Sequence, residues 1–366
     1  MKTIFFFPLF VLSFCQNIYA DEEISWLKKR NCQKTEPIQR IEPVQETCCP
    51  LLPNCSARLR NVCTSFDLFA DVLVWTARQS GTENWAQVIG PGTRFLKLQS
   101  VSFPWDVGLR VGVDYGMKHD QWDTLFAYTW FQTKGTDRVS TPFELNTSFT
   151  ANFYVNNASG GGFKGPLYKK GAIQWRILFN MFDWELGRKY WAGSDLSLRP
   201  FLGLKGGWIH QTTHTQWQNP NIPDPSSFGT ATENIKNNFW GIGPSGGLST
   251  KWKLGALCSH LFSLFGDFSG AILAGRWTFS DIYKNAVPIV VSIENPSVFG
   301  AASMLRGLMG FEWDTSFNTE RFYFTMRVGY ESQFWLDQLQ IYQFDIGLQD
   351  LLLTLQGATV DFAFDF

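Results

Sequence analysis

Few of the residues able to do chemistry stand in an arrangement that would do it. His210 and His214, in "HQTTH", lie four apart and on a strand would point to one face, a spacing that suits either a metal or a solvated loop. No glutamate follows the first histidine, so the zinc-protease pattern is missing. His119, Asp120 and Asp123 in "HDQWD" fall at a turn, and "GGGFKG" at 160–165 lacks the Lys-Ser/Thr ending of a phosphate cradle. The chain holds no Gly-x-Ser-x-Gly nucleophile elbow. No enzyme and no cofactor are expected.

The cysteines form the other reactive set. Past the leader they are Cys32, Cys48, Cys49, Cys55, Cys63 and Cys258, an even number in a chain bound for an oxidising compartment. They suit disulfides that staple a small N-terminal segment, or disulfides to neighbouring copies or other Cys-rich envelope proteins. Zinc is a third reading, but Cys258 and His260 in "CSH" lack the usual paired spacing.

The remaining chemistry is charge set in alternation. In "WDVGLRVGVDYG", Val107, Leu109, Val111, Val113 and Tyr115 oppose Arg110 and Asp114, a two-residue period that puts the two sets on opposite faces of a strand. The same period sets Phe66 to Val74 against Asp67 and Asp71, Trp122 to Trp130 against Asp123, and Leu198 to Trp208 against Arg199 and Lys205. It also sets Ile173, Trp175, Ile177 and Phe179 against Arg176. With every apolar face turned to lipid, the inward set becomes Arg110, Asp114, Asp123, Arg176, Arg199, Lys205, Arg276, Arg306, Glu312, Arg327, Glu331 and Asp361. These would fill a narrow lumen with salt bridges, or form a charged constriction whose arginines favour anions.

Composition says why lipid is the solvent. Aromatics are 16% of residues and charged residues only 17%, where a soluble domain carries about 25%. The formal charge of -1 leaves no basic footprint for nucleic acid. Residues 1–20 read as a signal peptide cut after Ala20, with a lipoprotein cut at Cys15 opposed by bulky Phe14. Residues 21–64 read as a Cys- and Pro-rich periplasmic segment, and 65–366 as an all-β, antiparallel transmembrane barrel.

About ten strands are expected, within eight to twelve, the later ones near 237–252, 267–283, 300–315, 321–336 and 352–366. Short connections at 117–120, 187–195 and 315–320, with a longer one at 253–266, alternate with long ones at 79–103, 134–170, 212–236, 284–299 and 337–351. Short periplasmic turns and long outer loops alternate in this way. Residues 85–103 could add a hairpin, and mid-strand Pro244 calls for a bulge.

The blocks "WDVGLRVGVDYGMKHDQWDTLFAYTWF", "FNMFDWELGRKYW", "LSLRPFLGLKGGWI", "NNFWGIGPSGG" and "RVGYESQFW", with a terminal phenylalanine, resemble the major outer membrane proteins of the Legionella and environmental-chlamydia type over roughly residues 65–366. The resemblance implies an abundant, porin-like barrel in the bacterial outer membrane, disulfide-rich in some members, with no catalytic residues. The ending "DFAFDF" puts Phe362, Phe364 and Phe366 toward lipid and Asp361 toward the lumen; its Phe366 resembles the signal read by the barrel-assembly machinery. The expected function is diffusion of small hydrophilic solutes by a major envelope protein, the alternative a surface adhesin or structural barrel with a blocked lumen.

Overall fold

The structure, a computed structural model, describes residues 65–80, 85–90, 96–117, 121–147, 168–221, 229–257, 260–285, 290–317, 322–343 and 347–365. Its strands are β1 (Ser65–Gln79), β2 (Ala86–Ile89), β3 (Leu96–Gln99), β4 (Asp106–Gly116), β5 (Trp122–Thr147), β6 (Tyr168–Arg188), β7 (Tyr190–Trp191), β8 (Leu196–Gln218), β9 (Thr230–Leu257), β10 (His260–Asn285), β11 (Val290–Phe317), β12 (Phe322–Gln343) and β13 (Gly347–Asp365). β1 pairs with β4 on one side and β13 on the other, which closes β1, β4, β5, β6, β8, β9, β10, β11, β12 and β13 into an antiparallel barrel of ten. Within the ring every wall strand has a partner on both sides.

Register fixes the shape. Stepping around the ring from Asp67 through Asp114, Leu125, Glu185, Gly203, Ser245, Ala271, Met304, Trp335 and Leu353 arrives at Gln79, twelve residues further along β1. Ten strands staggered by that amount tilt by about 40° and enclose a barrel about 20 Å across between backbones. On the outer face of β9, exposed Trp240 and Trp252 stand twelve residues apart, which at this tilt is about 30 Å along the axis. Between them lie Ile242, Pro244 and Leu248, all exposed, as an apolar band between aromatic girdles requires.

The strands overrun that band. β9 continues ten residues past Trp240 to Thr230, about 25 Å beyond the girdle. Most of the excess lies at the end away from β1's start and β13's finish, where β9 runs ten residues past its girdle tryptophan against five at the other end. The expected loops at 284–299 and 337–351 are therefore mostly strand, with only 286–289 between β10 and β11 and 344–346 between β12 and β13. Likewise 253–266 is taken up by β9 and β10, leaving 258–259. β2 and β3 form a hairpin but add nothing to the ring: β2 pairs with the far part of β5, beyond Trp130 where the short β4 stops covering it.

Pro244 needs no bulge. The ladder from β9 to β10 lapses between Ser245 and Ile242 and resumes in unchanged register, so the missing donor costs one gap rather than a shift. The shift between β9 and β10 falls instead at Phe262/Ser263. A second bulge interrupts β12 between Trp335 and Leu339, where Asp337 takes a left-handed φ of 56°.

Candidate functional site: the filled lumen

The half of the lumen nearer the chain's two ends of the barrel is a belt of charge. At its centre Glu331, fully buried, accepts hydrogen bonds from Arg110 (2.8 Å), Arg306 (2.7 Å), Gln333 (2.8 Å) and Thr359 (3.0 Å). Arg110 also reaches Asp71 at 2.8 Å and Thr129 at 3.0 Å, so one guanidinium ties β1, β4, β5 and β12 together across the interior. A buried carboxylate without such donors would cost several kcal/mol, which is why each charge here has a partner of opposite sign. Beside this centre, Glu312 meets Arg327 at 2.6 Å and also meets Lys251, which reaches Asp314 at 2.6 Å. Arg199 bridges Asp123 (2.6 Å) and Glu185 (2.9 Å), and Lys205 pairs with Asp183.

Above the belt the same inward face turns apolar. Leu73, Trp75, Phe131, Phe179, Trp335 and Leu355 are all 0–1% exposed and fill the lumen in the next layer, with ring centroids 5.6 Å apart for Trp75–Phe131 and 5.5 Å for Phe179–Trp335. Further out come Trp175, Ile177, Ile209, Phe239, Leu273 and Trp277, then Trp85, Tyr168, Trp217 and Tyr283 under the β2–β3 hairpin. A barrel about 20 Å across leaves room for little more than side chains meeting from opposite walls. A polar tie crosses this plug: Gln211 donates to Gln79 (3.1 Å) and Gln338 (2.8 Å) and accepts from Trp175 Nε1 (2.9 Å). The β12 bulge is what turns Gln338 inward.

Ten of the twelve residues read from sequence as lumen-facing lie on the inner face: Arg110, Asp114, Asp123, Arg199, Lys205, Arg306, Glu312, Arg327, Glu331 and Asp361. Arg176 and Arg276 do not. Both are exposed on the outer face, Arg176 donating to Gln132 at 2.7 Å and Arg276 lying 5.7 Å from the Phe299 ring centroid. The reason is a reversal along β6. Asp183 and Glu185 point inward in the belt, and Met181, Phe179, Ile177, Trp175 and Ile173 continue on that same face into the plug. Outside, Trp184 and Phe182 face the apolar band, but Arg176 and Gln174 stand beyond it.

The inner face also carries carboxylates not singled out as lining residues, among them Asp67, Asp71, Asp183, Glu185, Asp267, Asp314 and Asp365. Of these, Asp67 and Asp71 are legible in the alternation of β1. Among the described residues Lys251 adds a cation to these ion pairs. Carboxylates therefore outnumber cations on the described inner face, where the residues read from sequence carry an excess of arginine and lysine. The glutamine tie has no signature in sequence, since its members come from β1, β8 and β12.

His210 and His214 point outward, their Nδ1 atoms 2.8 Å from Asn238 Oδ1 and 2.6 Å from Asn234 Oδ1. Among the described residues no group of three or more His, Cys, Asp or Glu is placed to hold a metal. At the last strand, Asp361 Oδ2 is 3.9 Å from Arg327, and Phe362 and Phe364 pack on Phe324 on the outer face. Cys32, Cys48, Cys49, Cys55, Cys63, Cys258, His119, Asp120 and Phe366 lie outside the described residues.

Among solved structures the chain is similar to a TodX monoaromatic hydrocarbon channel mutant (11% identity, 82% of this chain and 90% of that one, TM-score 0.29). It is also similar to a Pseudomonas aeruginosa FadL homologue (11%, 83% and 90%, TM-score 0.31) and to the Ralstonia pickettii toluene transporter TbuX (11%, 82% and 88%, TM-score 0.25). No curated protein matches in sequence. The family model described as the Legionella pneumophila major outer membrane protein precursor matches residues 60–366, most of the chain. That match sets the barrel in the bacterial outer membrane, and the chain belongs to this family.

Proposed function

We propose that the chain is a narrow, gated outer-membrane channel for small hydrophilic solutes, shut by its apolar plug in the conformation described. The observation that carries this reading is the belt. Replacing buried ion pairs by packed apolar residues is often neutral or stabilising, so a barrel with a purely structural task gains little from charges spread through half its lumen. A lumen that passes ions or polar solutes needs them. The plug then acts as a hydrophobic gate that excludes water until it moves. The surplus of inward carboxylates favours cations. In this reading the end with the short connections faces the periplasm and the overrunning strands face outward.

The test is single-channel recording of the purified barrel in planar bilayers, beside a Trp75→Ala/Phe131→Ala variant that thins the plug. Rare, cation-selective steps in the wild type and a several-fold higher open probability in the variant support the channel. If both are silent while folded, the second reading stands: a structural or adhesive barrel with a permanently blocked lumen, which the completeness of the packing at Trp75, Phe179 and Trp335 favours.

The envelope role adds two elements to the proposal. The leader is removed after Ala20, and the six cysteines cross-link copies of the chain or other Cys-rich envelope proteins. Reducing agent should then collapse high-mass species to monomer on a gel. Oxidised protein already running as monomer would restrict the bonds to one chain.

A further inference from the structure

The outer face of β5, β6, β8 and β9 carries a charge pattern that the lumen does not explain. Lys134, Arg176, Thr212 and Lys236 are direct cross-strand neighbours in one hydrogen-bonded row, all turned outward, and the three cations are exposed. Arg138 and Lys170 lie outward nearby, as do His210 and His214. The acids of these same stretches, Asp137 and Glu233, sit on the inward parity. Like charges set directly opposite one another, as Lys134 and Arg176 are, destabilise a sheet unless an anion lies between them.

Directly toward the membrane from this row, the wall holds a groove of about 520 Å³. Its outward rim includes Phe126, Tyr128, Phe182, Trp184, Trp208 and Trp240, and its floor is lowered at Gly206, which stands on the outward parity and presents no side chain. Its size is that of a small-molecule site, yet it opens onto the apolar band. Thr212 and Lys236 stand four residues from Trp208 and Trp240 along β8 and β9, about 13 Å from groove to cations.

We propose that this face binds one phosphorylated glycolipid of the outer leaflet, its phosphate on Lys134, Arg176 and Lys236 and an acyl chain in the groove. Charge complementarity selects the headgroup, and continuity of the groove with the lipid-facing band selects the chain. The assignment to the outer leaflet rests on the orientation given above; the binding chemistry does not.

The experiment uses the barrel folded in neutral detergent, titrated with bisphosphorylated lipid A and read by native mass spectrometry. Parallel arms use the same lipid after enzymatic dephosphorylation, and phosphatidylglycerol. One lipid should bind per barrel, weakening about tenfold or more on dephosphorylation and in Lys134→Gln/Arg176→Gln/Lys236→Gln. Leu204→Trp, which fills the groove from its lipid side, should weaken binding in a protein whose cations are intact. Equal binding of phosphatidylglycerol, or undiminished binding by the triple variant, overturns the proposal. Protease access to the overrunning strands on intact cells reads orientation separately, so a failure there is distinguishable from a failure of lipid binding.

Discussion

Replacing Glu331 by glutamine keeps the shape of the side chain and removes its charge. In the wild type this one carboxylate takes Arg110 and Arg306 at 2.8 and 2.7 Å with no exposure to water. Arg110 retains Asp71 at 2.8 Å after the change, but Arg306 loses the carboxylate that its Nε contacts. Breaking one side of a buried ion pair costs about 3–5 kcal/mol, mostly as the penalty of the cation left behind. Glu331→Gln should therefore lower stability by about that amount. Denaturant unfolding of the barrel in detergent, followed by tryptophan fluorescence and by gel mobility without boiling, measures it. Adding Arg306→Met removes the stranded cation, and the double variant should recover more than about 1 kcal/mol of the loss, within the usual range of coupling between neighbours. A single-variant loss below about 1 kcal/mol would mean the belt is hydrated and that the pairing argument fails.

Gln211→Leu strips the plug of its central donor, removing the bonds to Gln79 and Gln338 and the one accepted from Trp175; it should cost about 1–3 kcal/mol in the same unfolding assay. Gly207→Ala should abolish folding yield, because its Cβ would meet the Asn180 carbonyl oxygen at 2.1 Å and the Met181 Cα at 2.9 Å, both backbone atoms in a wall that cannot open. Deleting Phe366 should impair assembly far more than the conductance of molecules that do assemble, read as membrane-inserted yield against single-channel amplitude.

Much of the barrel is legible in the chain as a string. The alternation at Val107–Tyr115, Phe66–Val74 and Trp122–Trp130 identifies strands and their apolar face correctly, because lipid outside and charge inside leave opposite marks on neighbouring positions. At Ile173–Phe179 the period is again right and the face wrong. A period of two says only that two faces differ. It does not say which is the interior, and beyond the girdle at Trp208 and Trp240 the outer solvent changes from hydrocarbon to water while the fold keeps its parity. That change is why periodicity puts Arg176 on the wrong face, and why the strands beyond the girdle have the composition of loops.

What the sequence determines by itself is thus the set of strands, their alternation and the exported, membrane-bound class of the protein, since these follow from local periodicity and composition. Tertiary structure alone decides the stagger of twelve, and with it which distant residues meet: Arg110 with Glu331 and Gln211 with Gln338 from strands far apart in the chain, and Lys134 beside Arg176, with Lys236 past Thr212 in the same row of the outer wall. Closure of a ring is a long-range condition. No single strand carries it, and both the filled lumen and the basic outer face exist only once the ring has closed.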